Sequence, residues 1–159
     1  MKIRFELNGD LVDPEIKPDQ TLLSLLRDTL GMLGVKEGCS AGECGACSVI
    51  VDGELRKSCI MLAAQVDGCN VVTIEGIAYE DGSPNDLQQA FLNHGSVQCG
   101  FCTPGMVMAS EVLLMDTLEP SRDQIREAIS GNLCRCTGYQ QIVGAIEETA
   151  KHRAKVEEK

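Results

Sequence analysis

Glu37-Gly38-Cys39-Ser40-Ala41-Gly42-Glu43-Cys44-Gly45-Ala46-Cys47 places three cysteines in one loop of small residues, in the spacing C-x4-C-x2-C. A fourth, Cys59, follows Cys47 after eleven intervening residues. Four thiolates so spaced suit two irons bridged by two sulfides. Such a core is anionic, so the loop must supply hydrogen-bond donors. Glycine accepts positive φ without a steric cost, and backbone N–H groups can then turn inward towards sulfur. A zinc knuckle is the alternative, but it is built from two C-x2-4-C pairs, whereas here a triplet shares one Gly-rich loop.

The spacing of this first set is that of plant-type [2Fe-2S] proteins. A second set lies downstream. Cys99-Gly100-Phe101-Cys102 is one pair and Cys134-Arg135-Cys136 the other, with thirty-one residues between Cys102 and Cys134. On spacing alone, zinc and iron–sulfur both remain open here. Placement adds an electrostatic argument. Thr103-Pro104 and Thr137-Gly138-Tyr139-Gln140 both read as helix starts, so Cys102 and Cys136 would each precede a helix N-terminus and its unsatisfied N–H groups. That supports an anionic metal site without identifying the metal.

Working outward, residues 1 to 76 read as short strands, one helix and the cysteine loop, a small α+β module. Ile3, Phe5 and Leu7 alternate with charged residues, and Asn8-Gly9 and Asp52-Gly53 are hairpin turns. Thr21–Leu26 has helical spacing and stops by Gly31, and Val71–Ile74 is a last strand. The polar run 77–83 is the expected linker. Beyond it four helices are expected, starting at Ser83-Pro84, Thr103-Pro104, Ser121 and Thr137, with Gly95 and Gly131 at helix ends. The mixed-sign run Lys151–Lys159 reads as a frayed or solvated end.

Composition narrows the class of function. The 159 residues are 43% hydrophobic but only 3% aromatic, with no Trp, so the core must be aliphatic. Asp+Glu number 24 against 14 Lys+Arg, a net charge of −10, which argues against nucleic acid and anionic membranes as partners. No secretory signal or bilayer-spanning stretch is visible, so a cytoplasmic location is expected. Nine cysteines in a reducing compartment point to metal ligation rather than disulfides.

Taken together, Val35–Cys47, Gln98-Cys99-Gly100-Phe101-Cys102-Thr103-Pro104-Gly105 and Gly131-Asn132-Leu133-Cys134-Arg135-Cys136-Thr137-Gly138-Tyr139 resemble the small iron–sulfur subunit of the molybdenum hydroxylases, the xanthine dehydrogenase family. The likeness spans nearly the whole chain and departs at no ligand position. It implies an N-terminal β-grasp [2Fe-2S] ferredoxin domain over 1–76 and a four-helix [2Fe-2S] domain over 77–159. It also implies that the second site holds a [2Fe-2S] cluster. A large molybdopterin-binding subunit would carry the substrate, and an FAD-binding subunit would accept electrons. Gln98 and Cys136 would lie against the pterin. Electrons would enter at Cys99/Cys102/Cys134/Cys136 and leave from Cys39/Cys44/Cys47/Cys59. Xanthine or another N-heterocycle is the first expectation for substrate. Equivalent subunits of carbon monoxide, aldehyde, nicotinate and hydroxybenzoyl-CoA enzymes share the pattern. A free-standing ferredoxin and a zinc-stabilised interaction module are the rivals from other classes.

The remaining residues carry plainer readings. Cys69 lies outside both sets and is expected to be a small buried hydrophobe. Met106, Met108 and Met115 are expected in a helix core. His94 is read as a helix cap or a solvated side chain. Phe101 is expected to shield a cluster from water. Arg135 either balances charge or faces solvent.

Overall fold

In the computed structural model, which describes residues 1–157, Asn8 and Gly9 take φ of 52° and 91°. That is the geometry a two-residue hairpin requires. The pair joins β1 (Phe5–Leu7) to β2 (Asp10–Val12). Asp52 and Gly53 repeat it between β3 (Ser48–Val51) and β4 (Glu54–Lys57). The last strand, β5 (Asn70–Val72), is shorter than expected because Ile74 opens a 3-10 turn. It pairs parallel with β1 and antiparallel with β3, giving the order β2-β1-β5-β3-β4. Thr21 caps one α-turn, α1 (Leu22–Ser24), which passes directly into a π-turn over Leu25–Thr29. Leu22, Leu25 and Leu26 are sealed from solvent together with Phe5, Val49 and Val71. Each such side chain contributes about 1.5–3 kcal/mol of burial energy.

The second core is helical. It is built on α2 (Asp86–Asn93), α3 (Thr103–Asp116), α4 (Arg122–Ala128) and α5 (Gln140–Glu157). Ser121 and Gln124 form the expected capping box. Three other starts differ from expectation. Helix α2 is capped by Asn85, whose side chain exchanges bonds with Gln88, whereas Ser83 turns back to Asp81. Cys102, not Thr103, occupies the cap position of α3. Helix α5 begins only at Gln140, because Thr137 spends its hydroxyl on the Cys134 sulfur. Helix α4 ends at its cap Ile129, two residues before Gly131. Of the two readings of the charged tail, the described part is solvated rather than frayed: α5 continues to Glu157 with Lys151, His152, Lys155 and Val156 exposed; Glu158 and Lys159 lie outside the described residues.

Helix α3 is the spine. It packs on β3 and β4 as well as on α2 and α4. Met106, Val107, Met108, Ala109, Ser110 and Leu114 are all buried, as a helix enclosed on every side requires. Met115 departs from expectation: at 64% exposure it faces outward, near the helix end.

A charged clasp ties the helices together. Arg153 on α5 donates to both carboxylate oxygens of Asp86 (2.8 and 2.6 Å) and to Glu111 on α3 (2.8 and 3.0 Å). Asn85 donates a further bond to Glu111 at 2.7 Å. Glu111 is buried, so removing its cation would strand a charge. Replacing Arg153 by Met should cost about 2–4 kcal/mol, below the deepest buried pairs because Arg153 keeps some solvent contact.

The clasp also makes stability depend on pH. Hydrogen bonds from Arg153 hold the Asp86 carboxyl below its ordinary value of 3.8. The contribution is therefore complete above that value and is lost as pH falls through the lower folded one. The melting-temperature gap between the parent chain and Asp86→Asn should be full at neutral pH and narrow steadily in acid below about pH 4. A gap of constant size across that range would exclude the clasp as a charge interaction.

Candidate metal centres

In the first cysteine loop, Ser40, Gly42 and Gly45 take φ of 52°, 78° and 76°. These left-handed turns aim three backbone N–H groups at one sulfur. Ala41, Glu43 and Cys44 donate to Cys39 Sγ at 3.4, 3.3 and 3.4 Å. The Cys44, Ala41 and Glu43 amides together hold the Cys39 thiol down at about 6. The expectation that the loop presents donors is met, with Ser40 taking a strained position alongside the glycines.

The thiols meet in twos. Cys39 bonds to Cys44, while Cys59 lies against Cys47 with Cys39 within electrostatic reach. In the second set Cys102 lies against Cys134, and Cys136 Sγ is 3.7 Å from Cys99 Sγ. Among the described residues, no three His, Cys, Asp or Glu side chains gather as closely as a single ion requires. Two thiolates on each of two adjacent metals is the donor arrangement of a [2Fe-2S] core. The all-sulfur donor set, with N–H and O–H groups aimed at the sulfurs, fits that group.

Burial grades the ligands. Cys47 and Cys59 are buried, and desolvation, helped by Cys47, pushes the Cys59 thiol up to about 11. Cys102 is pushed up to about 12, by burial first and then by Cys134. Burial also raises Cys134, but the hydroxyl and N–H of Thr137 outweigh it and the net direction is down. Cys99 and Cys136 are exposed, so this edge of the second set opens to the surface. Gln98 sits beside it, also exposed.

The sets are close neighbours. Leu133 N–H donates to the Cys44 carbonyl at 2.8 Å, joining the residue before Cys134 to a ligand of the other set. Phe101, expected to shield a cluster from water, is itself 47% exposed. A Cβ built on Gly38 would lie 3.6 Å from its ring and 2.7 Å from Cys44 Sγ. Lys57 donates to the Gly131 carbonyl at 2.7 Å. Arg135 is exposed. Cys69 packs partly buried at the edge of the first core, donating to the Gln65 carbonyl at 3.6 Å. His94 is the C-cap of α2 and its ring contacts Glu148.

The sequence reading missed two supports. Thr137 Oγ1 donates to Cys134 Sγ at 3.1 Å, and the Tyr139 hydroxyl accepts from Cys134 N–H at 2.8 Å. Both lie within the quoted motif, but the pattern Thr137-x-x-Gln140 imitates a capping box and hid them.

Known proteins resemble this chain closely. Residues 5–71 match the family described as "2Fe-2S iron-sulfur cluster binding domain", and residues 73–147 match "[2Fe-2S] binding domain". The nicotinate dehydrogenase small FeS subunit of Eubacterium barkeri is 50% identical over 144 residues, covering 91% of each chain. The xanthine dehydrogenase iron-sulfur-binding subunit of Escherichia coli O157:H7 is 44% identical, covering 94% of each. The structure of quinoline 2-oxidoreductase from Pseudomonas putida 86 superposes with a TM-score of 0.93 at 40% identity, over 98% of this chain and 96% of that one.

Two measurements follow from this geometry. Iron and acid-labile sulfide should each come to about four per chain, with two distinct paramagnetic signals on reduction. Cys69→Ser should keep both signals and Cys44→Ser should lose one; stoichiometric zinc without sulfide would remove the assignment. Thr137→Val should keep all the iron yet lower the reduction potential of one cluster only, since a donor that stabilises added negative charge on sulfur is lost. Equal shifts in both clusters would contradict a local effect.

Proposed function

Because the chain belongs to the small iron–sulfur subunits of the molybdenum hydroxylase family, we propose that Cys39, Cys44, Cys47 and Cys59 hold one of its two [2Fe-2S] clusters and Cys99, Cys102, Cys134 and Cys136 the other. The chain is the electron-transfer subunit of an oxidoreductase and carries no substrate site. When bound, such clusters take up and return single electrons. This chain's residues supply the thiolates, aim donors at sulfur and exclude water from the inner ligands. The ferredoxin-type module is assigned to 1–76 and the helical module to 77–159, each with its own core.

The observation that carries the direction of the relay is the asymmetry of exposure. Cys99 and Cys136 open to the surface beside Gln98, while Cys47 and Cys59 are buried behind a loop that bonds to the second set. The open edge is assigned to the molybdopterin-binding partner, with Gln98 and Cys136 against the pterin, and the Cys39 side to an FAD-binding partner. Phe101 and Leu133 are exposed apolar side chains next to ligand cysteines, as surface meant for a partner would be. Among the described residues no helix is long and apolar enough to cross a membrane. The complex is assigned to the cytoplasm. An aromatic N-heterocycle is the proposed substrate class, on the names of the nicotinate, xanthine and quinoline relatives.

The test uses the complex co-purified with its partners. Nicotinate, xanthine or quinoline should bleach the visible absorption of the clusters; bleaching by aldehyde or carbon monoxide alone would reassign the substrate class. Gln98→Ala keeps all eight thiols and removes one hydrogen bond worth about 1 kcal/mol. Substrate-driven reduction should slow, while dithionite still reduces both clusters fully. An unchanged rate in rapid-freeze paramagnetic resonance would place the pterin elsewhere.

A further inference from the structure

We infer that Asn132 is the positioning residue that keeps the two thiolate sets in electronic contact; this rests on the ligand assignment above. Asn132 is only 2% exposed and lies two residues before Cys134. Its side-chain Nδ2 reaches across to the other module, donating to the Gly45 carbonyl at 3.0 Å and to Ser48 Oγ at 3.3 Å. Gly45 follows Cys44 and Ser48 follows Cys47, so the amide grips the first cysteine loop on both sides of Cys47. On the next residue, Leu133 N–H meets the Cys44 carbonyl. A path from the Cys44 sulfur to the Cys134 sulfur thus runs through covalent bonds and this single hydrogen bond.

The fold has cleared space for the amide. A Cβ on Gly45 would lie 2.5 Å from Asn132 Nδ2. One on Gly105, at the start of α3, would lie 2.2 Å from the Gly45 carbonyl oxygen and 3.0 Å from Asn132 Nδ2. From outside, Lys57 holds the Gly131 carbonyl. Asn132 Oδ1 is buried with no protein hydrogen-bond partner. That is an unfavourable state for a buried acceptor. A residue that merely filled the slot would not need to incur it; one whose Nδ2 must grip the Gly45 carbonyl does.

Electron tunnelling falls steeply with the gap to be crossed, and a hydrogen bond bridges a gap better than empty space. One electron passes between the sets, oxidising one site as it reduces the other, with no proton moved and no bond exchanged. Loosening the Leu133–Cys44 contact therefore weakens the coupling without touching any ligand.

The test is Asn132→Ala in the assembled complex, with Asn85→Ala as a control that loosens the helical module far from both loops. Iron and sulfide should stay at parental levels. The magnetic splitting between the two reduced centres should change, and hydrogen exchange at the Leu133 amide should rise about tenfold. Asn85→Ala should lower the melting temperature yet leave splitting and exchange as in the parent. Parental splitting and exchange in Asn132→Ala would overturn the proposal. If Asn132→Ala loses iron, Lys57→Met, which removes the bonds to the Gly131 carbonyl and to Ser48 Oγ beside Asn132, takes the same two measurements, and parental values there overturn it equally. A parent chain lacking the iron itself would instead refute the ligand assignment, so the two failures are distinguishable.

Discussion

The backbone of Gly45 rests against the first turn of α3 so closely that a single methyl group on Gly105 would collide with its carbonyl oxygen. Much else is arranged around that contact. It presses the first cysteine loop onto the helix whose cap position is Cys102, and so brings ligands of both sets within one loop's breadth. It also explains why α3 is buried on all sides: one face serves the helical core, and another closes the end of β3 and β4. Two modules with separate cores become one unit because small residues allow backbone to meet backbone.

Given that contact, the chemistry at each sulfur is set locally. Where the chain is wound through positive φ, N–H groups converge and the Cys39 thiolate is favoured. Where apolar side chains surround sulfur, as at Cys59 and Cys102, the thiol form is favoured until a metal displaces the proton. The same division separates the exposed edge at Cys99 and Cys136 from the buried sulfurs of Cys47 and Cys59.

Much of this was legible in the sequence, for identifiable reasons. The hairpins at Asn8-Gly9 and Asp52-Gly53 could be read because those turns admit few residue types. The two cysteine groups could be read because their spacing is local, and each group's thiols do come near one another in the fold. The helix starts were less legible. Ser83-Pro84 and Thr137 carry the right residues for caps, but competing local bonds claimed them: Ser83 is held by Asp81 two residues back, and the Thr137 hydroxyl by the Cys134 sulfur three residues back. Met115 follows the apolar pattern of α3 yet faces outward. Asn132 lay inside the quoted motif, but its role could not be read there, because its partners lie more than eighty positions away along the chain.

The charged clasp acts on the same helix, away from the cysteines. Arg153 lies on the last helix and binds Asp86 at the start of α2 and Glu111 midway along α3. It therefore steadies the C-terminal half of α3, while at its N-terminal turn Gly105 packs against the Gly45 backbone. A relay needs distances that do not drift during turnover, and a helix held only at its ligand-bearing end would tilt about that point. Securing the spine at both ends converts a loop contact into a fixed separation. Most of the net charge can then remain on the surface, because Glu111, the one deeply placed carboxylate among the described residues, is matched by Arg153 and Asn85.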